Sequence, residues 1–561
     1  MSLRSINRLI QLGYHFVYRS KGRFYLYLAF FCSVLVVLDA TSFHLVAGMQ
    51  HRTFDIMMKN RIVYPQADPD IVIVDIDEGS LEAMAGDYGR WPWPRQIFAE
   101  FVENLEEQQP KAIIFDILFS DPDVYNKESD DYFNEVAEAT TNTFFPMLRL
   151  NPQNDELSQV TPAMIPGMGR IPGEPQQDRG LAIILPHFPA VVASGRMGTN
   201  NIYPDSDGIV RQYALYRPHF GWRIPSLPAR TAEVLGWDVP DEQDVLLNWR
   251  GRLGAFNTVR FSTVYEDFLS RERQRLPDEF AGKVVIIGSS APSLFDTKPT
   301  PMERIHPGVE ILATAVDNLK NGDWITPLSS PWIYAAVALS LIWLVALAFL
   351  TGIKRSLIDG VFAGSQVGLV AVSYASLNLS TYFIDLTAPI TAGFIYFTLA
   401  RVYAYAEVAL AERRVWLTLE SDAKGWQETL VVVLLGKEGA LSESKVITGL
   451  KRRLNARKEG FTIEPFPDKP AGVGRAYGDL LLIYYVDSEV REKTSSKQMA
   501  TEPLLEMIKE EATTVCGSMP PLGYSQGAMP YGDERGRIAV WRRLVHQAIH
   551  ALYRDETIYR E

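Results

Sequence analysis

Carboxylates and hydroxyls gather where apolar runs end. Asp75, Asp77 and Glu78 close IVIVDIDEGS (71–80), Asp116 and Asp121 stand in FDILFSDPD (115–123), and Ser289 and Ser290 close KVVIIGSS (283–290), with Asp296 shortly after. Clustered oxygen donors of this kind could hold a divalent cation, because hard cations take oxygen ligands. The same residues have a plainer use. Asp75, Asp116, Asp207 and Asp296 could cap turns and pair with Arg95 and Arg211, fixing the fold without a ligand. Catalysis is the weaker reading. The serines have no histidine near them in sequence except His306, and one histidine does not make a triad. No catalytic residue is assigned, and the metal is left unknown.

WPWPR (91–95) lies close by. Pro94 suits the first position of a helix, where its fixed φ fits and its missing N–H costs nothing. Pro92 keeps Trp91 extended. Trp91 and Trp93 then pack under the helix entry, and Arg95 is expected to turn back toward the carboxylates of 71–76. The stretch is either a launching turn or the rim of a ligand pocket, since ligands of open α/β sheets gather at the carboxyl ends of strands.

The elements that would position these groups alternate. DIVIVDI (70–76), KAIIFDILF (111–119) and KVVIIGSS (283–290) read as buried strands. Helix 95–108 puts Ile97, Phe98, Phe101, Val102 and Leu105 on one face, and helix 308–322 does the same with Val309, Leu312, Ala313, Val316 and Leu319. This predicts an α/β domain with a mostly parallel sheet. Asp207-Gly208 reads as a hairpin turn, with Arg211 on the returning strand. Residues 150–180, rich in Pro, Gly and Gln, read as a polar surface insertion.

At 561 residues the chain needs several domains, and its net charge of −12 argues against nucleic acid as a partner. Two cysteines, Cys32 and Cys516, are too few for a disulfide framework. Four apolar runs have the length to cross a bilayer: 24–43, 332–351, 357–377 and 383–403. Arg4, Arg8, Arg19, Lys21 and Arg23 precede the first, Lys354 and Arg355 lie between the second and third, and Arg401, Arg413 and Arg414 mark the end of the fourth. The positive-inside rule then places the basic N-terminus (1–23) and the C-terminal region in the cytoplasm, with 44–330 outside. The first run reads as an uncleaved anchor.

FDIMMKNR (54–61), IVIVDIDEGSLE (71–82), WPWPR, FDILFSDPD, NIYPDSDGIVRQY (201–213), IPSLPARTAEVLG (224–236), LLNWRG (246–251), GKVVIIGSSAPSLFDTKPTP (282–301) and HPGVEILATAVDNLKNG (306–322) resemble, in order and spacing, a CHASE2 domain over about 53–325. The three apolar runs that follow are similar to the family's layout. One departure is Ile311-Leu312-Ala313, where the family more often has a histidine before the alanine. The resemblance implies a bacterial inner-membrane sensor whose periplasmic domain meets an unknown ligand or protein, and it suggests a homodimer.

Residues 404–425 read as a linking helix and 426–561 as a smaller cytoplasmic α/β domain. TLVVVLLG (429–436) and GDLLLIYYVD (478–487) read as strands; 442–460, 501–516 and 536–556 read as helices. A faint likeness to a nucleotide cyclase fails chemically, because Leu434, Leu435 and Gly436 stand where a metal-binding carboxylate is needed. Kinase, diguanylate cyclase and Walker signatures are absent from the sequence. Arg542, Arg543, His546 and His550 line one helix; a solvated or partner-facing surface suits them better than a metal site lacking a third ligand. The expected output is therefore a non-catalytic domain that engages a cytoplasmic protein through 404–561. The alternative is a scaffold subunit of an envelope complex.

Overall fold

The computed structural model describes residues 23–43, 45–328, 330–351, 353, 355–417, 426–435, 446, 448–453, 461–465, 481–488, 501–530 and 534–554. The chain divides into two compact units. One comprises Val46–Ser329 with Val370–Thr387; the other holds the N-terminal residues to Leu45, Ser330–Leu369 and Ala388 onward.

The first unit is built on a seven-stranded sheet. Its elements in chain order are α1 (Ala47–Lys59), β1 (Ile71–Asp75), α2 (Glu78–Tyr88), α3 (Arg95–Glu106), β2 (Ala112–Phe115), α4 (Lys127–Ala139), β3 (Thr143–Arg149), β4 (Ile183–Ile184), β5 (Met197–Thr199), α5 (Leu227–Leu235), β6 (Asn257–Arg260), α6 (Phe261–Leu269), β7 (Val284–Gly288) and α7 (Gly308–Asn321). The order across the sheet is β6-β1-β7-β2-β3-β4, with β5 also on β3. Every pairing is parallel except β3 with β4. The expected unit of two parallel strands joined by α3 is present, but β7 lies between β1 and β2. A strand distant in sequence thus completes the centre of the sheet.

Side chains alternate across this sheet, as a pleat requires. Ile71, Ile73, Ala112, Ile114, Val284 and Ile286 face a core shared with α1, α5 and α7. Val72, Val74, Ile113, Phe115, Val285 and Ile287 face the opposite core, shared with α2, α3, α4 and α6. The central strands β1, β2 and β7 are almost wholly apolar because helices cover both faces. Residues 150–180 are more structured than a loop. They hold 3-10 turns at Pro152–Leu157 and Pro162–Met164 and a strand at Gly169–Arg170 that pairs with Trp222–Pro225. Ile165 supplies the buried anchor that such an insertion needs.

The segments that lead toward the apolar helices belong to this unit's core. Met57, Met58, Leu377 and Phe383 are buried together, and Phe54 meets Phe383 edge to face at 5.3 Å between centroids. Thr326-Pro327 pairs in parallel with Tyr382-Phe383. Asn378 accepts from the backbone N–H of Ile62 at 2.8 Å and of Val63 at 3.2 Å.

Among the described residues, three helices are long and apolar enough to cross a membrane: Arg23–Phe43, Pro331–Leu350 and Arg355–Leu379. The fourth apolar run, 383–403, falls on a short strand at Tyr382–Phe383 and a helix at Thr387–Leu417, which is not one of those three. Its Arg401 pairs with Asp359 at 2.6 Å, so these two charges of neighbouring apolar runs neutralise each other. Tyr25, Ala29, Cys32, Ile342, Ala346, Tyr396 and Ala400 are buried together in the same unit.

The C-terminal region forms a four-stranded antiparallel sheet of β8 (Trp426–Leu435), β9 (Phe461–Pro465), β10 (Leu481–Ser488) and β11 (Leu522–Pro530), in the order β9-β10-β8-β11. Leu430, Val432 and Leu434 pack on helix Thr501–Cys516, whereas Val431 and Val433 pack on helix Glu534–Arg554. β9 and β11 were not anticipated. LGYSQGAMP lacks an apolar run, and its glycines allow close approach to the helix behind it. A Cβ on Gly523 would lie 2.0 Å from the Ala548 carbonyl. Of the expected helix 442–460, residues 446 and 448–453 are described; the rest lies outside the described residues, as do 418–425 of the linking segment. His546 is half-buried and His550 exposed, while the Arg542 side chain lies outside the description.

Candidate functional site

The carboxyl ends of β1, β2 and β7 meet at one edge, as the parallel register dictates. Most of the polar groups there are already satisfied. Asp75 accepts from the Ser290 N–H at 2.8 Å and from its hydroxyl at 2.5 Å. Burial pushes the Asp75 carboxyl up, and the Ser290 bonds oppose this. Ser289 donates to the Ile76 carbonyl at 2.7 Å. Glu78 accepts from the Ser293 N–H at 2.8 Å, which draws its carboxyl down. Asp77 caps α2 through the Ser80 N–H and pairs with Arg260 at 2.8 Å. Burial would raise Asp77, but these partners outweigh it and hold it low. These residues stitch β1 to the 289–293 turn.

Asp116 and Asp296 are different. Both line a cavity of about 390 Å³ together with Asn200, Lys298 and the apolar side chains of Leu118, Met147, Leu148 and Ile202. Asp116 accepts a hydrogen bond from the Asn200 amide. Burial, then the nearby charge of Asp296, raises its carboxyl to about 8. Asp296 is likewise raised by burial, with Lys298 drawing it the other way. No arginine neutralises either of them among the described residues.

Two glycines make room for this pair. A Cβ on Gly308, the first residue of α7, would lie 2.2 Å from Asp296 Oδ2. A Cβ on Gly288 would come within 2.9 Å of Asp116 Cβ and 2.7 Å of Val309. The carboxylates are therefore seated where any larger residue would expel them.

WPWPR does not join this cavity. The helix starts at Arg95, and Pro94 is its N-cap with ψ 142°, one residue outside the expected helical position. The Pro94 carbonyl accepts from the Ile97 N–H, which is what an N-cap does. The Trp91–Pro92 peptide is cis. Trp93 is buried against Phe98 and Phe261, and half-buried Trp91 meets it edge to face. Arg95 does not reach the 71–76 carboxylates. Its guanidinium lies over the Phe119 ring at 5.2 Å and donates to the Trp93 carbonyl, in the field of Asp130, Asp123 and Asp121. The helix axis carries it toward the loop after β2. Asp121 is exposed and bonded to Ser120. WPWPR is thus a launching turn.

Arg211 also stands elsewhere. Its guanidinium binds both oxygens of Asp55 and both of Asp207, and one of Asp205, at 2.7–2.9 Å. These bonds hold Asp207 down at about 2. Asp205, Gly208 and Ile209 form a turn, with Gly208 at φ +83°, but not the expected hairpin: Arg211 precedes the strand Gln212–Ala214, which pairs with Asp244–Leu246. His51, Asp205 and Asp207 place ligand atoms within 4.8 Å of one another. Arg211 already occupies the aspartates, so the charge a metal would supply there is in place.

A second buried knot is not evident from the sequence. Arg250 binds both oxygens of Asp317 at 2.8 Å and both of Asp323 at 2.6–2.7 Å. The side chains of Arg250 and Asp317 are 1% and 0% exposed. The available signal was Asp317, which continues the 309–313 spacing of the apolar face of α7.

A family model described as CHASE2 domain matches residues 29–353, more than half of the chain. No curated protein and no solved structure matches it.

Proposed function

Because the chain belongs to the CHASE2-domain family, whose modules are extracellular sensors, we propose that its α/β unit detects a small molecule in the Asp116–Asp296 cavity and drives the apolar helices that carry it. The observation that supports this reading most is the cavity itself: two carboxylates without an arginine, at the carboxyl edge of a parallel sheet, over space for a ligand. The route outward is covalent and packed. Helix α1 follows the apolar helix Arg23–Phe43 closely in the chain, and Arg355–Leu379 runs from the apolar unit into the sensor's core. A ligand that binds two arrangements of this core unequally would shift both segments.

The chain crosses the membrane four times in this reading, once before the sensor and three times after it, with the 387–403 stretch as the last span. The sensor lies in the periplasm. The antiparallel C-terminal domain lies in the cytoplasm and engages a partner protein, and the chain acts as a homodimer. Thiol labelling tests the arrangement. Cys32 and Cys516 are replaced by serine, and Gln176→Cys or Thr514→Cys is introduced at an exposed position. Gln176→Cys should react with an impermeant maleimide on intact spheroplasts, and Thr514→Cys only after lysis. The reverse pattern would overturn the proposal.

A further inference from the structure

We infer that the Asp116–Asp296 cavity binds a small organic ammonium compound, its charged nitrogen held between the two carboxylates and its apolar body against Leu118, Met147 and Ile202. The inference rests on the sensor reading and names the chemistry of its cue.

Several other carboxylates that this fold draws inward carry their own cation, while Asp75 and Asp130 accept hydrogen bonds from Ser290 and from the Asp123 N–H instead. Arg211 serves Asp55, Asp205 and Asp207; Arg250 serves Asp317 and Asp323; Arg149 serves Asp155. Asp116 and Asp296 have only the Asn200 amide and, from a distance, Lys298. Two like charges removed from water repel, and desolvation penalises each of them. Lys298 can balance one of the two carboxylates; the second has no cation among the described residues, and it faces the cavity, where a ligand can supply one.

The space sets the ligand's size. A water takes about 30 Å³ of liquid volume, so 390 Å³ far exceeds what a bare ion needs. Half of the named lining is aliphatic or thioether, which suits carbon. An ammonium donates three hydrogen bonds, enough for both carboxylates. Gly288 and Gly308 keep the cradle open, because a methyl at either position would meet Asp116 or Asp296. Lys298 stands at the same cavity and leaves room for an acceptor on the far end of the ligand.

Binding also has a proton balance. Near neutral pH Asp116 holds a proton, since burial and Asp296 raise it to about 8. The entering ammonium favours the ionised form, and that proton passes to solvent. Affinity should therefore rise with pH.

The test uses full-length protein in nanodiscs and n-butylammonium as the probe, titrated calorimetrically at pH 6 and pH 8 in two buffers of different ionisation enthalpy. The expected result is at least five-fold tighter binding at pH 8, with net proton release. Asp116→Asn and Asp296→Asn should each weaken binding ten-fold or more while keeping the wild-type circular dichroism. Equal binding of n-butanol would overturn the inference, as would calcium binding with no response to the amine. If either variant fails to fold, Leu148→Trp, which fills the cavity without touching its charges, must abolish binding; retained binding also overturns it. Loss of the amine result with correct thiol labelling removes this ligand class and leaves the sensor standing. Reversed labelling removes the sensor whatever the amine does.

Discussion

Arg211 grips Asp55 from 156 residues away with two parallel bonds, Nε to Oδ1 and Nη2 to Oδ2, each 2.7 Å. The pair clamps α1 to the turn at 205–209. With the Arg211 side chain only 2% exposed, Arg211→Ala leaves three aspartates facing one another. Breaking a buried pair costs about 3–5 kcal/mol; the partial exposure of Asp55 and Asp207 places this one at about 3. A fall in Tm of the full-length protein, with faster proteolysis within 47–59, is the expected outcome.

Asn378 is the second fastening. Asn378→Ala strips the acceptor from the Ile62 and Val63 amides; both residues are largely exposed, so water takes over and the loss is about 1 kcal/mol. Hydrogen exchange at 62–63 should accelerate while exchange in β1 and β7 stays slow. Equal acceleration everywhere would mean that the contact supports the whole core and not this junction.

WPWPR carries a stability prediction. Trp93→Ala empties a fully buried site between Phe98 and Phe261 and should cost about 3–5 kcal/mol. Arg95→Ala loses a cation–π contact worth about 1 kcal/mol. Denaturant titration should rank them in that order, with n-butylammonium binding unaltered in folded Arg95→Ala.

Asp116 predicts a pH dependence of definite sign. Its folded-state value of about 8 lies above the unfolded value of about 3.9, so the folded chain keeps a proton that the unfolded chain has released. The stability this gives is complete below about pH 4 and is lost as pH climbs through about 8. Asp116→Asn removes the dependence. The Tm of the variant relative to wild type should therefore rise between pH 4 and pH 8.

Asp359 and Arg401 form an ion pair between two of the apolar helices. Either single change, Asp359→Asn or Arg401→Gln, strands one charge and should lower folded yield and stability by about 3 kcal/mol. The exchange of both, Asp359→Arg with Arg401→Asp, should recover most of the loss. A double variant no better than the singles would show that the pair does not couple.

Much of the sensor was legible in the sequence. IVIV, AIIF and VVII are short, mostly β-branched and apolar at every position, which only strands covered on both faces sustain. α3 and α7 announced themselves by their stripes. The edge strand Asn257–Arg260 did not, because it is largely exposed and reads NTVR. The site was half legible. The carboxylates stood where strand ends put them, yet only folding separates Asp75, satisfied by Ser290, from Asp116 and Asp296, which are not. Arg95 was misdirected because its neighbours in sequence, not in space, suggested its partners.

The border of the sensor is not a single cut in the chain. Tyr382-Phe383 pairs with Thr326-Pro327, and Leu377 sits in the same core as Met58. A chimera that grafts this module onto a foreign membrane anchor by joining at residue 330 would leave part of the module behind. Splice points belong before Val46 and after Thr387, with the two intervening helices carried as part of the cassette.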